Sequence, residues 1–184
     1  VSVSPNIALF NHLRKHKDPE VANNQYLVIA PTLHCGYKRA TENTMVGDRS
    51  VGDARLNYDE MIYGWFDHWL KEDGKSDFLE SLPRIQYYLM GKNEWKTAET
   101  WPPKEASMTS LYLDSEGKAN SLFGDGKLSL TPPSKPNQDN YTYDPNNPVY
   151  SNGGNVCCTG NAIQAGARDQ QEMETRSDIL VYTS

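Results

Sequence analysis

The chain has 184 residues, 37% hydrophobic and 23% charged, with a net charge of −6 and a pI near 5.2. That length suits one ordinary domain or parts of two, and 11 Tyr with 4 Trp exclude the composition of a disordered segment. An acidic chain with no basic run repels phosphate backbones, and no apolar run nears the roughly 20 residues of a membrane helix, so neither nucleic acid nor membrane is expected as a partner.

In chain order, residues 1–72 read as α/β. Ser4 can cap a first helix with Pro5 at its first position, and Ile7, Phe10 and Leu13 follow at helical spacing. The apolar run from Gln25 to Pro31 suits a short strand buried on both faces of a parallel sheet. Residues 32–57, with Gly36, Gly47 and Gly52 among polar residues, read as a long loop. A second helix begins at Asp59 and is stopped by Gly74. Ile62, Trp65, Phe66, Trp69 and Leu70 mark its apolar face.

Across residues 73–83 the character changes. Short β-rich runs at 84–90, 110–113, 127–130 and 179–183 alternate with proline- and glycine-rich loops such as Pro102-Pro103, Pro132-Pro133 and Gly153-Gly154. That pattern suggests a β-sandwich or jelly roll. The expected division is therefore 1–78, α/β, and 79–184, all-β. A lone strand and helix do not make a stable doubly wound sheet, so a fragment, or a chain whose upstream part is separate, is expected.

The three cysteines, Cys35, Cys157 and Cys158, lack zinc-ligand spacing. The adjacent pair bonds to itself only with backbone distortion. Pairing outside the chain and a reduced, buried state both stay open, and with them the compartment. No phosphate- or dinucleotide-binding glycine loop, metalloprotease helix or G-x-S-x-G nucleophile turn occurs. Neither a metal nor a cofactor is expected.

Of four histidines, His12 and His16 lie among basic residues on the polar side of the first helix, and His68 lies beside the apolar face of the second. His34 differs, because it directly follows the buried strand, and ligands of open α/β sheets bind beyond the carboxyl ends of the strands. An imidazole there can take and return a proton near neutral pH. On position alone, an ordinary loop histidine is the commoner case. Asp48, Arg49 and Asp53 in the following loop could line a site, though surface charges are commoner in such loops. The charged tract Asp169–Asp178 reads as a solvated loop or a docking element.

Several segments, in order, resemble the serine hydrolase family of cocaine esterase, X-prolyl dipeptidyl-peptidase and α-amino-acid ester hydrolase. Tyr26-Leu-Val-Ile-Ala-Pro-Thr-Leu-His34 is similar to the family's "LVIGPWxHG", with Ala30, Thr32 and Cys35 departing from it. Trp65-Phe-Asp-His-Trp-Leu-Lys71 resembles "FFDHWLKG". Tyr87–Gly91, Trp95 and Thr100–Pro103 resemble its entry into the C-terminal domain. Tyr143–Val149, Gly153-Gly154, Cys157-Cys158 and Asp169–Ser184 resemble its later motifs. The pattern most resembles the branch that holds α-amino-acid ester hydrolases and glutaryl-cephalosporin acylases.

The resemblance implies the C-terminal part of an α/β-hydrolase domain followed by a jelly-roll domain. It implies acyl transfer by a Ser-His-Asp triad, with His34 as general base and then acid. The serine and aspartate precede the histidine in this family, so both would lie upstream of this chain. The expected partners are a small ester, amide or short peptide substrate, the upstream part of the same hydrolase, and a second copy in a homo-oligomer. The competing reading is a non-catalytic β-sandwich binding module, with Trp95 and Trp101 stacking on sugar rings.

Overall fold

The fold rests on one parallel strand pairing. In a computed structural model, which describes residues 3–34, 36, 39–71, 77–135, 137–156 and 163–184, β1 (Leu27–Ile29) pairs in parallel with β4 (Ile85–Leu89), Leu27 opposite Ile85 and Ile29 opposite Tyr87. β5 (Glu94–Ala98) then returns antiparallel on β4, giving the order β1-β4-β5. Parallel strands need a long crossover, and residues 30–84 supply it.

The crossover holds a two-stranded hairpin, β2 (Met45–Val46) with β3 (Arg49–Ser50), where the sequence suggests only a loop. It also holds α3 (Tyr58–Leu70) and the single turn α4 (Phe78–Ser81). The chain opens with α1 (Val3–Leu13) and α2 (Pro19–Asn23). α1 starts one residue ahead of Ser4 and buries Phe10 on its expected stripe. Asn57 caps α3: its Oδ1 accepts from the Glu60 amide at 3.2 Å while its Nδ2 donates to the Glu60 carboxylate at 2.7 Å. The pair satisfies an amide that a helix start leaves open. The expected stop at Gly74 lies outside the described residues.

The apolar face of α3 differs from the expected one. Ile62, Phe66, Trp69 and Leu70 are exposed, at 40%, 53%, 40% and 73%. The half-buried stripe is instead Tyr58, Met61, Trp65 and His68. Trp65 packs edge-on against Tyr26 of the approach to β1, ring centroids 5.6 Å apart, and the Met61 sulfur lies 4.0 Å from the Gln86 amide nitrogen of β4. Aromatic residues occur on both sides of this helix, so periodicity alone does not say which side turns inward.

The chain divides into two compact units. Val1–Ala106 with Gly153–Ala167 form the first, and Ser107–Asn152 with Arg168–Ser184 the second. The core of the first centres on Ile85, fully buried, and on the cluster Val51, Ala54 and Tyr88 with Ala40, Val46 and Trp95 packed around it.

In the second unit, β6 (Tyr112–Asp114) pairs antiparallel with β7 (Lys127–Ser129), and α5 (Gln171–Glu174) buries Met173. The expected strand at 179–183 makes an isolated parallel bridge, Thr183 with Lys127. Thr183 makes that bridge by donating to the Gly126 carbonyl at 3.2 Å and accepting from the Leu128 amide at 2.9 Å, while Val181 donates to the Ala119 carbonyl at 2.7 Å. Among the described residues the sheets have three, two and two strands, fewer than the roughly eight strands of a jelly roll.

Two polar pins hold this unit. Arg176 forks onto Asp178 at 2.8 and 2.7 Å and reaches the Asn147 carbonyl at 2.6 Å. Its guanidinium holds the Asp178 carboxyl below the ordinary carboxylate range, so the charged tract is tied to a neighbouring loop. The second pin is Asp139, which accepts from the Tyr182 hydroxyl at 2.5 Å, the Ser115 hydroxyl at 2.7 Å and the Ala119 amide at 2.9 Å.

Ile85→Ala removes a fully buried side chain between two strands, and urea unfolding should show a loss of about 2–5 kcal/mol. At the second pin, the hydrogen bond to Asp139, and then burial, push Tyr182 from 10.0 up to about 12, while the Tyr182 hydroxyl lowers Asp139. The Tyr182 contribution is full below pH 10 and fades as pH rises toward 12. The Asp139 contribution is full at neutral pH and fades as pH falls through its lowered value. Tyr182→Phe should speed amide exchange at Ala119 and Val181 about fivefold at pH 7, the equivalent of about 1 kcal/mol, and less at pH 3.

Candidate functional site

His34 stands one turn beyond the carboxyl end of β1. Pro31 is buried and ends the strand, since it has no amide for a ladder. The Gly36 amide then donates to the Leu33 carbonyl at 2.8 Å, closing a tight turn with His34 at its first corner. The Arg39 amide donates to the Gly36 carbonyl at 2.9 Å, continuing the bend. His34 is exposed, so its imidazole is open to a reacting group. Cys35, Cys157 and Cys158 lie outside the described residues.

The loop after the turn is held by buried contacts. Thr44 donates its hydroxyl to the Thr41 carbonyl and accepts from the Thr41 amide, both at 2.9 Å. The Thr44 and Val51 backbones pair with Gly52 and Thr44 across the hairpin. Tyr88 of β4 donates its hydroxyl to the Val51 carbonyl at 2.5 Å. Burial pushes that hydroxyl's pKa up, which keeps it a donor. Trp95 of β5 donates its indole N–H to the Arg55 carbonyl at 3.1 Å and packs edge-on against Tyr88, centroids 5.3 Å apart. Trp101 packs edge-on against Tyr87 at the same centroid distance, and its carbonyl accepts from Asn11. Both tryptophans named for sugar stacking are thus engaged in packing.

The other loop candidates make contacts of their own. Asp53 is gripped by Arg55, Nε to Oδ1 at 2.9 Å and Nη2 to Oδ2 at 2.6 Å, and Arg55 also meets Glu42 at 3.1 Å. Arg55 holds the Asp53 carboxyl below its ordinary range. These groups are solvent-exposed, so the triplet adds little stability. Arg49 is exposed on β3, and the Asp48 amide donates to the Ala167 carbonyl at 2.8 Å. His12 and His16 are exposed on and just after α1, and His68 is half-buried with its ring 5.0 Å from Trp69. Among the described residues, no three His, Cys, Asp or Glu side chains are grouped to hold a metal ion, and no helix is long and apolar enough to cross a membrane.

Sequence reasoning missed the residues that support the histidine loop, Tyr88 above all. Its signal is faint: in the run Tyr87-Tyr88 one ring faces each side of the strand, and nothing local says which ring has a loop beneath it.

Comparison with known proteins places these features. Residues 76–184 match the family described as "X-Pro dipeptidyl-peptidase C-terminal non-catalytic domain". The chain is 33% identical over 124 residues to the cocaine esterase of Rhodococcus sp. (strain MB1 Bresler), covering 67% of this chain and 21% of that protein. It is 30% identical over 91 residues to a "Putative serine esterase" of Mycobacterium bovis (strain ATCC BAA-935 / AF2122/97), covering 50% of this chain and 13% of the relative. A protein of the same description from Mycobacterium tuberculosis (strain CDC 1551 / Oshkosh) gives the same figures. The chain thus spans only a minor part of these relatives, and it belongs to the X-Pro dipeptidyl-peptidase-like serine hydrolase family, as a C-terminal portion whose residues 76–184 are the non-catalytic domain.

Proposed function

We propose that this chain supplies His34 as the general base of a serine hydrolase that cleaves small esters, amides or short peptides. One observation carries the reading: an exposed imidazole sits in a tight turn just beyond a parallel strand. That is where open α/β sheets place their ligands. The serine nucleophile and the aspartate that orients the imidazole belong to the upstream part of the same hydrolase. In this mechanism His34 takes the proton of the serine hydroxyl as the serine attacks the carbonyl carbon, then gives it to the leaving oxygen or nitrogen.

The same reading makes β1 and β4 part of an α/β-hydrolase sheet, with upstream strands adding to β1. A parallel pair is normally covered on both faces, and β1 is only half-buried along its length. The exposed face of α3, with Phe66, Trp69 and Leu70, is the surface the upstream part would cover. For the second unit, the antiparallel pair β6-β7 and the bridging 179–183 segment are consistent with an incompletely paired jelly roll. The internal contacts of Trp95 and Trp101 favour packing over sugar stacking for these two rings.

Two experiments test this reading. In the intact hydrolase, His34→Ala should lower turnover of 4-nitrophenyl acetate by about 10²–10⁴-fold, the usual worth of a positioned acid–base group, with unchanged circular dichroism. Retained turnover in a folded variant would sink the assignment. Hydroxyl-radical footprinting of the same intact protein should label Phe66 and Trp69 as weakly as core residues. Labelling typical of open surface would exclude the covered face.

A further inference from the structure

We propose that the backbone pair of Gly154 with Gly166, together with Ala167, is a clasp that positions the loop carrying His34. These residues fall inside the matched region 76–184, yet they pack with the first unit. Gly154 and Gly166 exchange both backbone hydrogen bonds, at 2.8 and 2.9 Å, which fixes the two glycines side by side. One residue on, the Ala167 carbonyl accepts from the Asp48 amide at 2.8 Å and the Ala167 amide donates to the Val46 carbonyl at 3.2 Å. The clasp therefore holds the β2–β3 turn through main-chain groups on both sides of Gly47.

Two glycines make that approach possible. A Cβ on Gly47, at φ +67, would lie 2.1 Å from the Ala167 carbonyl oxygen, and one on Gly166, at φ +103, would lie 2.4 Å from the Gly47 nitrogen. Both positions combine a left-handed backbone with collision against main chain, so only glycine fits without displacement. The turn so held continues into Val46, Val51 and Ala54, which pack with Ala40 around Tyr88. Ala40 is only six residues past His34, so the hairpin and the histidine are close neighbours along the chain. Misplacing a reacting group by about 1 Å can cost about a hundredfold in rate.

The proposal rests on the general-base reading of His34, and the test separates the two. In the intact hydrolase, Gly166→Ala and Gly47→Ala should speed amide exchange at Asp48 and Ala167 about tenfold or more. They should also lower kcat for 4-nitrophenyl acetate about tenfold or more while KM stays within about twofold, because orientation and not binding is lost. Gly91→Ala is the control: φ there is +97, but a Cβ meets nothing within 4 Å, so it carries the backbone strain without touching the clasp. It should leave both readouts unchanged. If Gly166→Ala does not fold, Gly154→Ala, at φ +86 with open space around its Cβ, loosens the same pair by strain alone and should shift both readouts in the same direction.

Faster exchange at Asp48 and Ala167 with an intact kcat would overturn the positioning role. Unprotected Asp48 and Ala167 amides in the unmodified protein would overturn the clasp itself. Turnover retained by His34→Ala would instead sink the general-base reading, and the exchange result would still report on the clasp.

Discussion

Everything near His34 depends on the parallel pairing of β1 with β4. Three residues of β1 form the pair, a ladder too short to persist alone. It persists because β4 is buried at Ile85 and Tyr88 and is backed by five residue pairs with β5. The pairing fixes where β1 ends, and Pro31 with the Leu33–Gly36 turn then fixes where the imidazole stands. A histidine in the same sequence on an unpaired strand would have no defined position.

β4 also acts at a second level. Tyr88 reaches the loop that follows His34, where its hydroxyl meets the Val51 carbonyl, and its ring meets Trp95 of β5. An unpaired buried carbonyl costs about 1–3 kcal/mol, so this bond helps make a polar, glycine-containing loop compatible with a fully buried Val51. A strand read as the start of the β-rich half thus serves the loop of the α/β half. The family match beginning at residue 76 and the spatial unit reaching residue 106 describe two different things: sequence relationship in one case, packing in the other.

Much of the scaffold was legible from residue pattern. α1, β1 and β4 carry plain signals, namely apolar spacing in the helix and β-rich runs in the strands. The β2–β3 hairpin was not legible, since two-residue strands in a polar stretch carry no period. β5 was missed because Glu94-Trp-Lys-Thr-Ala98 alternates too weakly to announce a buried face. The run 179–183 has strand composition but pairs with β7 only through the bridge at Thr183, while Val181 bonds the loop at Ala119, a choice made by tertiary neighbours. α3 was found but turned wrongly, because Trp65 and Trp69 lie only four residues apart and still differ in burial. The position of His34 was legible from the strand before it. Its proposed role came from the ordered motifs, since no single residue around it names a chemistry.

The term non-catalytic, applied to residues 76–184, concerns the reacting atoms. It does not make the domain passive. Tyr88 and Trp95 on one side and Ala167 on the other all lie in that region and grip the loop after His34, but by different physics. Tyr88 and Trp95 hold it through buried rings and side-chain donors, which tolerate small rearrangements. The clasp holds it through main-chain bonds from Ala167 to Val46 and Asp48, beside two glycines, Gly47 and Gly166, that leave no room for a side chain. A loop held only by the rings could slide while keeping its apolar contacts; one held also by the clasp has its register set at Val46 and Asp48. Acid–base catalysis needs heavy atoms within hydrogen-bond reach, about 2.6–3.2 Å, a tolerance that packing alone seldom enforces on a surface loop. The two anchors together explain why a segment so far along the chain, and so rich in glycine, is built into the unit that carries the histidine.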